Sequence, residues 1–242
     1  MINIPEWQSR TEILLGEEAL VRLHDAHILI VGLGGVGGWA AESLARAGIG
    51  EMTLVDADVV SPSNINRQLV ATQQTIGRPK TEVLAERLEA INPEIKLHLR
   101  QIFIKDELVR ELLDEQKYDY VLDAIDSLSP KVYLISEAIA RGYKVISSMG
   151  AGAKYDPGKI QVADISKSYN CTLARQVRKR LKILGIRKGF RVVFSSELPN
   201  RNAVIMVENE QNKKSTAGTL SYMPAMFGLR MAAEVIIALS NS

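Results

Sequence analysis

The first residues that could do chemistry form a glycine-rich turn: Gly32, Gly34, Gly35 and Gly37. Glycines permit a tight turn and let backbone N–H groups approach a phosphate at the N-terminus of a helix. Asp56 follows a predicted strand at 51–55, about 20 residues beyond the last glycine, where an acid that binds ribose is expected. The pattern predicts a nucleotide site, and it leaves open whether the nucleotide is a nicotinamide dinucleotide or ATP.

A second group of polar residues suits the cleavage of ATP better than hydride transfer: Asn64, Arg67, Gln68, Lys80, Asp123 and Asp126. An enzyme that splits ATP between its α- and β-phosphates needs cations around the α-phosphorus and Mg²⁺ on the departing pyrophosphate. Lys80 precedes a predicted helix, where a cation is unfavourable unless an anion lies nearby. The alternative for each of these residues is an ordinary capping, turn or surface role.

These motifs resemble the ThiF/MoeB/ubiquitin-activating-enzyme superfamily of ATP-dependent adenylating enzymes. The shared features are GxGGxG at 32–37, DxDxVxxSNxNRQ at 56–68, a downstream lysine and the Asp-x-x-Asp motif at 123–126. The resemblance implies that Asp56 binds the ribose hydroxyls, that Asn64 and Arg67 contact the triphosphate, and that Lys80 binds phosphate. Gln68 is a further candidate in the same segment.

The resemblance also implies roles outside the phosphate contacts. Asp126 would bind Mg²⁺ and the pyrophosphate. Asp123, three residues earlier, would support the position of Asp126. Arg10, on the N-terminal helix, would reach the nucleotide of a partner subunit across a dimer interface, and its alternative is a solvated helix side chain. Some relatives carry a reactive cysteine in the loop that corresponds here to 208–218, which contains none. Cys171, the single cysteine, is therefore interpreted as structural.

The elements that position these residues alternate between strand and helix. An alternation of this kind predicts an α/β fold with a doubly wound, mostly parallel Rossmann-like sheet. Strands are predicted at 27–31, 51–55, 95–101, 119–123 and 144–148, and helices at 9–24, 36–47, 79–91, 106–116 and 130–141.

The pattern changes after residue 155, which divides an ATP-binding core (1–155) from a C-terminal extension (156–242) within a single compact unit. The extension is predicted to contain antiparallel strands at 160–165, 190–195 and 203–207, a basic helix at 172–184, a mobile loop at 208–219 and a closing helix at 224–240.

The charge of the chain is uneven although its formal net charge is only +2. Residues 165–196 contain nine lysines and arginines and no acid, whereas the rest of the chain is net acidic. A basic block on an acidic body indicates a polyanionic partner such as nucleic acid, and a solvated helix face is the alternative. The candidate nucleic-acid contacts are Arg175, Arg178, Lys179 and Lys182.

Three further blocks select one branch of the superfamily. The sulfur-carrier branch usually carries two CxxC pairs that bind zinc, and this chain has one cysteine. Segments 7–12, 148–157 and 173–181 instead resemble the tRNA threonylcarbamoyladenosine dehydratase family. That resemblance implies adenylation of a threonine carboxylate on a tRNA nucleoside, followed by ring closure with release of AMP and pyrophosphate and without an enzyme nucleophile.

The expected partners are ATP with Mg²⁺, the anticodon stem-loop of tRNA, a second copy of the chain and, as a candidate, a sulfur-transfer protein. Two alternatives stay open: an adenylating enzyme for a ubiquitin-like carrier, and a nicotinamide oxidoreductase or nucleotide-binding module. The chain is 46% apolar and 24% charged, as in an ordinary globular protein. No signal peptide and no run near the ~20 apolar residues of a membrane span are recognisable, so we expect a cytoplasmic protein without membrane contact.

Overall fold

A computed structural model of the chain describes residues 4–206 and 215–241. The strands of the main sheet are β1 (His27–Val31), β2 (Glu51–Val55), β3 (Lys96–Arg100), β4 (Tyr120–Asp123), β5 (Val145–Ser148), β6 (Ile160–Asp164) and β7 (Arg191–Ser195). They lie in the order β3-β2-β1-β4-β5-β7-β6, all parallel except β6, which is antiparallel to β7 at one edge.

Helices cover both faces of this sheet. They are α1 (Ser9–Leu15), α2 (Glu17–His24), α3 (Gly37–Ala47), α4 (Lys80–Ile91), α5 (Glu107–Glu115), α6 (Leu128–Ala140), α7 (Thr172–Ile183) and α8 (Tyr222–Ser240). Side chains alternate along a strand, so β1 supplies both cores: Ile28 and Ile30 pack beneath α3 and α8, and Leu29 and Val31 pack beneath α5, α6 and α7. The predicted doubly wound, mostly parallel sheet is confirmed.

The N-terminal helix differs from the prediction. Gly16 adopts a φ of +83°, a conformation that glycine reaches at little cost, and it separates α1 from α2. The continuous helix predicted at 9–24 is therefore wrong. Leu20 and Leu23 of α2 are buried, whereas Ile13 and Leu14 of α1 are more than four-fifths exposed at 85% and 81%.

The loop predicted at 208–219 is also partly wrong. Ser215–Ala217 form a strand, β9, that pairs antiparallel with β8 (Val204–Met206) in a small second sheet. The segment lacks apolar periodicity, and the structure shows it as a strand through its pairing with β8. The rest of that predicted loop, up to residue 214, lies outside the described residues.

The closing helix α8 is long and apolar enough, by length and composition, to cross a membrane, and within the described residues it is the one helix that meets this test. Arg230 and Glu234 interrupt its apolar residues, so the test does not contradict the expectation that no uninterrupted apolar run approaches a membrane span. Burial accounts for its apolar character, because Met223, Phe227, Met231 and Val235 lie in the core against α3 and the sheet.

Candidate active site

The glycine turn lies between β1 and α3, at the carboxyl edge of the sheet. The strand order reverses beside β1 and β4, which is where open α/β sheets bind ligands. An added Cβ at Gly32 would lie 2.8 Å from the Ala124 carbonyl oxygen, and one at Gly37 would lie 1.7 Å from that of Gly32. Neighbouring backbone thus excludes a side chain at both positions, and residues 34–36 between them are partly exposed.

Asp56 fixes the glycine turn from the end of β2. Its Oδ2 accepts a hydrogen bond from the Leu33 N–H at 2.7 Å, and its Oδ1 accepts one from the Asp58 N–H at 2.8 Å. Burial raises the pKa of Asp56, and the Lys80 ammonium opposes that rise. Carboxylate oxygens can accept further hydrogen bonds, so the expected contact with ribose remains compatible with this arrangement.

Lys80 begins α4 and is almost fully buried. Its Nζ lies 2.7 Å from Asp58 Oδ2 and 3.9 Å from Asp56 Oδ1. Asp58 therefore supplies the anion that a cation at a helix N-terminus requires, a pairing that the sequence left open. An incoming phosphate would share this ammonium with Asp58, whose side chain is exposed.

The segment around Arg67 lies directly against the glycine turn. The ideal Cβ position at Gly35 is 3.2 Å from the Arg67 carbonyl oxygen, and that at Gly34 is 3.6 Å from Gln68 Nε2. The Arg67 guanidinium donates to the Ser63 carbonyl at 2.8 Å and to Asn66 Oδ1 at 2.9 Å. These bonds hold a partly exposed arginine in place beside the turn.

Asn64 and Gln68 complete that segment. Asn64 Oδ1 accepts a hydrogen bond from the Ser61 N–H at 3.2 Å, which closes the short turn before Arg67. Gln68 Oε1 is buried without a hydrogen-bond partner in the part of the chain that the structure describes. A buried polar atom of this kind is costly unless a ligand or water completes it. The position of Gln68 beside Gly34 is therefore compatible with a contact to a ligand in the glycine turn.

Lys131 is a buried charged residue near the site that sequence reasoning missed. It lies on α6 and is fully buried with Asp123, its Nζ 2.6 Å from Asp123 Oδ2 and 2.9 Å from the Ser148 carbonyl. Ser147 Oγ also donates to Asp123 Oδ2 at 2.6 Å. The sequence feature that could have revealed its burial is that this lysine stands next to the apolar residues of α6. Asp123 thereby fixes the start of loop 124–127, because its Oδ1 accepts the Ile125 N–H at 3.1 Å.

Asp126 lies in loop 124–127 and is exposed at the same edge of the sheet as the glycine turn. The backbone of Ala124 and Ile125 contacts Gly32 in that turn. The structure thus joins the loop that carries Asp126 to the glycine turn, and Leu33 joins the turn to Asp56 and Lys80. An exposed carboxylate at this place is suitable for a hydrated Mg²⁺ ion.

Arg10 is not brought to this site within one chain. Gln8 lies two residues earlier and donates to the Ala47 carbonyl at the C-terminal end of α3. The glycine turn lies at the other end of α3, about 15 Å away along an eleven-residue helix. A role for Arg10 in catalysis would therefore require a second subunit.

The basic helix α7 lies beside the start of α6. Arg180 donates to Ser129 Oγ at 2.8 Å, three residues beyond Asp126. Arg175, Lys179 and Lys182 are exposed. Arg178 is half-buried, and its guanidinium donates to the Ser168 carbonyl at 2.8 Å, so part of its hydrogen-bonding capacity is already used.

Cys171 caps α7 and is buried. Its Sγ accepts a hydrogen bond from the Ala174 N–H at 3.5 Å, a contact that agrees with a structural role. Lys154 lies near it and donates to the Ser195 carbonyl at 2.7 Å. Burial lowers the pKa of Lys154, an effect that Cys171 and Glu197 oppose. This lysine anchors the segment after β5, and the sequence did not single it out.

The fold and the site together define an ATP-dependent enzyme built on a doubly wound sheet. The chain belongs to the ThiF family, whose family model matches residues 8–242. The tRNA threonylcarbamoyladenosine dehydratase of Bacillus subtilis is 38% identical over 238 residues, which covers 96% of this chain and 93% of that protein.

Two further comparisons separate the branches of the family. The crystal structure of the E. coli tRNA N6-threonylcarbamoyladenosine dehydratase TcdA in complex with ATP aligns with a TM-score of 0.88 at 36% identity, over 99% of this chain and 97% of that chain. The E. coli molybdopterin-synthase adenylyltransferase is 36% identical over 159 residues, only 64% of this chain and 61% of that protein. The likeness to the dehydratases is thus nearly end to end.

Proposed function

We propose that this chain is an ATP-dependent dehydratase that adenylates and then cyclises N6-threonylcarbamoyladenosine in tRNA. The observation that carries the proposal is the likeness over 99% of the chain to a dehydratase with bound ATP. That likeness includes the C-terminal extension and α7, which shared adenylation chemistry alone would not require.

The reaction needs no enzyme nucleophile. An oxygen of the threonine carboxylate attacks the α-phosphorus of ATP, and the bond from that phosphorus to the pyrophosphate oxygen breaks. The neighbouring carbamoyl group then attacks the acyl carbon, loses a proton and expels AMP, which carries away the carboxylate oxygen. The net change is the loss of one water from the nucleoside, driven by ATP. Orientation and electrostatic stabilisation are sufficient for both steps.

The proposed nucleotide contacts follow from the geometry of the site. The glycine turn and the N-terminus of α3 would bind the phosphates, since Cβ atoms are excluded there. Arg67 and Lys80 would neutralise charge that develops on the phosphates, and Asp56 would bind ribose. Gln68 would direct its Oε1, which has no hydrogen-bond partner in the described residues, toward the nucleotide. Asn64 would hold the Arg67 segment beside the triphosphate.

Asp126 would hold Mg²⁺, because its exposed carboxylate lies at the mouth of the phosphate site. The donor chemistry fits the ion, since Mg²⁺ prefers carboxylate oxygens together with water and phosphate oxygens. The ion would supply positive charge to the departing pyrophosphate. Asp123 and Lys131 would position Asp126 through loop 124–127.

The tRNA would lie along α7 and reach the site past Ser129. The exposed cations Arg175, Lys179 and Lys182 would contact phosphates of the anticodon stem-loop, largely without reading its sequence. Arg178 would contribute less, because Ser168 already binds its guanidinium. The reaction would take place in the cytoplasm, in a homodimer, with a sulfur-transfer protein as a candidate partner.

The deciding experiment measures ATP consumption with tRNA from cells that lack the cyclic modification, followed by mass analysis of the nucleosides. We expect the threonylcarbamoyl nucleoside to lose one water while AMP and pyrophosphate are released. The Arg67→Ala variant is the control and should produce neither. If the mass does not change and a Gly-Gly-ended ubiquitin-like protein stimulates pyrophosphate exchange instead, the carrier-type alternative would replace this proposal.

A further inference from the structure

Two of the three histidines of the chain converge on one carboxylate at the edge of the sheet opposite the glycine turn. His27 begins β1, Glu51 begins β2, and His98 lies on β3. The parallel register brings them together, because His27 is opposite Glu51 and His98 is opposite the next same-face residue of β2, Thr53. A five-residue strand is about 16 Å long, so this cluster is remote from the nucleotide site.

The donor atoms of the three side chains are close enough to share an ion. Glu51 Oε1 lies 2.7 Å from His98 Nε2 and 3.7 Å from His27 Nδ1. One ligand atom from each residue lies within 4.8 Å of the other two. Zinc ligands lie about 2.0–2.2 Å from the ion, so small side-chain rotations would bring all three into its coordination sphere.

The other ring nitrogens have partners that orient the two imidazoles. His27 Nε2 lies 2.9 Å from Thr53 Oγ1, a hydroxyl that can accept its proton. His98 Nδ1 lies 3.5 Å from Gln116 Nε2, and a half-turn of that amide would place its oxygen there as an acceptor and leave His98 Nε2 for the ion. Histidine ligands of metals commonly donate their second ring N–H in this way, which fixes the tautomer and the ring plane. The Tyr118 ring packs edge-on against His27 at 4.7 Å and limits its rotation.

The site is partly open to solvent. Glu51 and His98 keep 29% and 30% of their side chains exposed, which leaves an entry path.

We propose that His27, Glu51 and His98 form a binding site for a first-row divalent cation of the zinc class. Two imidazoles and one carboxylate are a ligand set typical of such ions, and they leave further coordination positions for water. The ion would tie β1, β2 and β3 together at the edge remote from the ATP site, and its role would be to stabilise the sheet.

The test is a titration of the full chain, stripped with a chelator, with Co²⁺ and then Zn²⁺. We expect saturable binding of one ion per chain, a visible cobalt absorption band without thiolate charge transfer, and displacement of cobalt by zinc. Glu51→Gln keeps the size of the side chain and should weaken binding about tenfold or more, and so should His98→Gln. His24→Gln is the matched control, because this histidine pairs with Asp25 outside the cluster.

Two further measurements make the outcome decisive. Zinc should raise the Tm of the wild-type chain but not that of Glu51→Gln, while ATP affinity should be equal in both. If Glu51→Gln does not fold, His98→Gln gives the same comparison at a half-exposed position. The proposal would be overturned by absence of saturable binding, by equal affinity in the wild type and Glu51→Gln, or by binding that is lost only in His24→Gln or Cys171→Ser.

Discussion

At the scale of single residues, Lys131 and Asp123 form an ion pair in which neither side chain is exposed. A buried pair contributes little compared with apolar residues of the same shape, but removal of one partner leaves an uncompensated charge. Here the pair also fixes the loop that carries Asp126, which is the residue proposed to hold Mg²⁺. With Asp126 in its proposed role, stability and catalysis would depend on the same contact.

Lys131→Met should lower the free energy of unfolding by about 3–5 kcal/mol at neutral pH, as measured by denaturant titration. Burial already raises the pKa of Asp123, and loss of Lys131 removes the main opposing effect. An acid whose pKa is higher in the folded state than in the unfolded state lowers stability as the pH rises from its unfolded-state pKa to its folded-state pKa. The penalty should thus be smaller at pH 5 than at pH 8.

The matched control is the double variant Asp123→Asn, Lys131→Met, in which neither charge remains. It should recover part of the lost stability and show little of the pH dependence. A single variant as stable as the wild type at every pH would contradict the assignment of an uncompensated buried charge.

At the scale of elements, α7 combines two faces with different tasks. Ala174, Val177 and Leu181 are buried against the core, whereas the opposite face carries cations. Arg180 connects this face to the start of α6, beside the loop of Asp126. The helix thus offers a polyanion a path that ends at the proposed reaction site.

Charge reversal of Arg175, Lys179 and Lys182 to Glu should weaken tRNA binding and leave ATP binding unchanged. Each lost phosphate contact should reduce the slope of log affinity against log salt by about one. The measurement is filter binding or fluorescence anisotropy at several salt concentrations. The control reverses three exposed lysines near the amino edge of the sheet, Lys96, Lys117 and Lys144. Equal tRNA affinity in both triple variants would exclude α7 as the docking surface.

At the scale of the whole molecule, the separation of Arg10 from the glycine turn bears on assembly. Contacts of the N-terminal segment place it near the far end of α3, and α1 leaves Ile13 and Leu14 exposed. The proposed homodimer would bring Arg10 to the site of the other subunit. In that case each active site would contain residues from two chains.

Complementation between two inactive variants tests this assembly. Arg10→Ala and Arg67→Ala should each be inactive alone, whereas a heterodimer purified through two different tags should have about half the wild-type activity, since one of its two sites keeps both arginines. The Arg67→Ala homodimer that carries both tags is the control. An inactive heterodimer of wild-type stability would show that Arg10 does not act across the interface.

Much of the fold was predictable because it depends on local pattern. Short strand-like segments at 27–31 and 51–55 predicted β1 and β2 with their observed bounds, and glycines between a strand and a helix predicted the glycine turn. The break at Gly16 was missed because the apolar spacing continues through it. The strand Ser215–Ala217 was missed because its own residues show no strand pattern and it forms by pairing with β8.

The fold class, the glycine turn and the residue types that surround it follow from periodicity or from spacing over a few residues, so they can be predicted from the chain alone. The charge pairs are visible only in the folded protein: Lys80 with Asp58, Lys131 with Asp123, and the two histidines with Glu51. The members of each group come from different strands, helices or loops. Strand register brings the histidines to Glu51, whereas the packing of α4 and α6 brings the two lysines to their carboxylates. Register and helix packing are set by the whole core, so no local pattern could reveal these contacts.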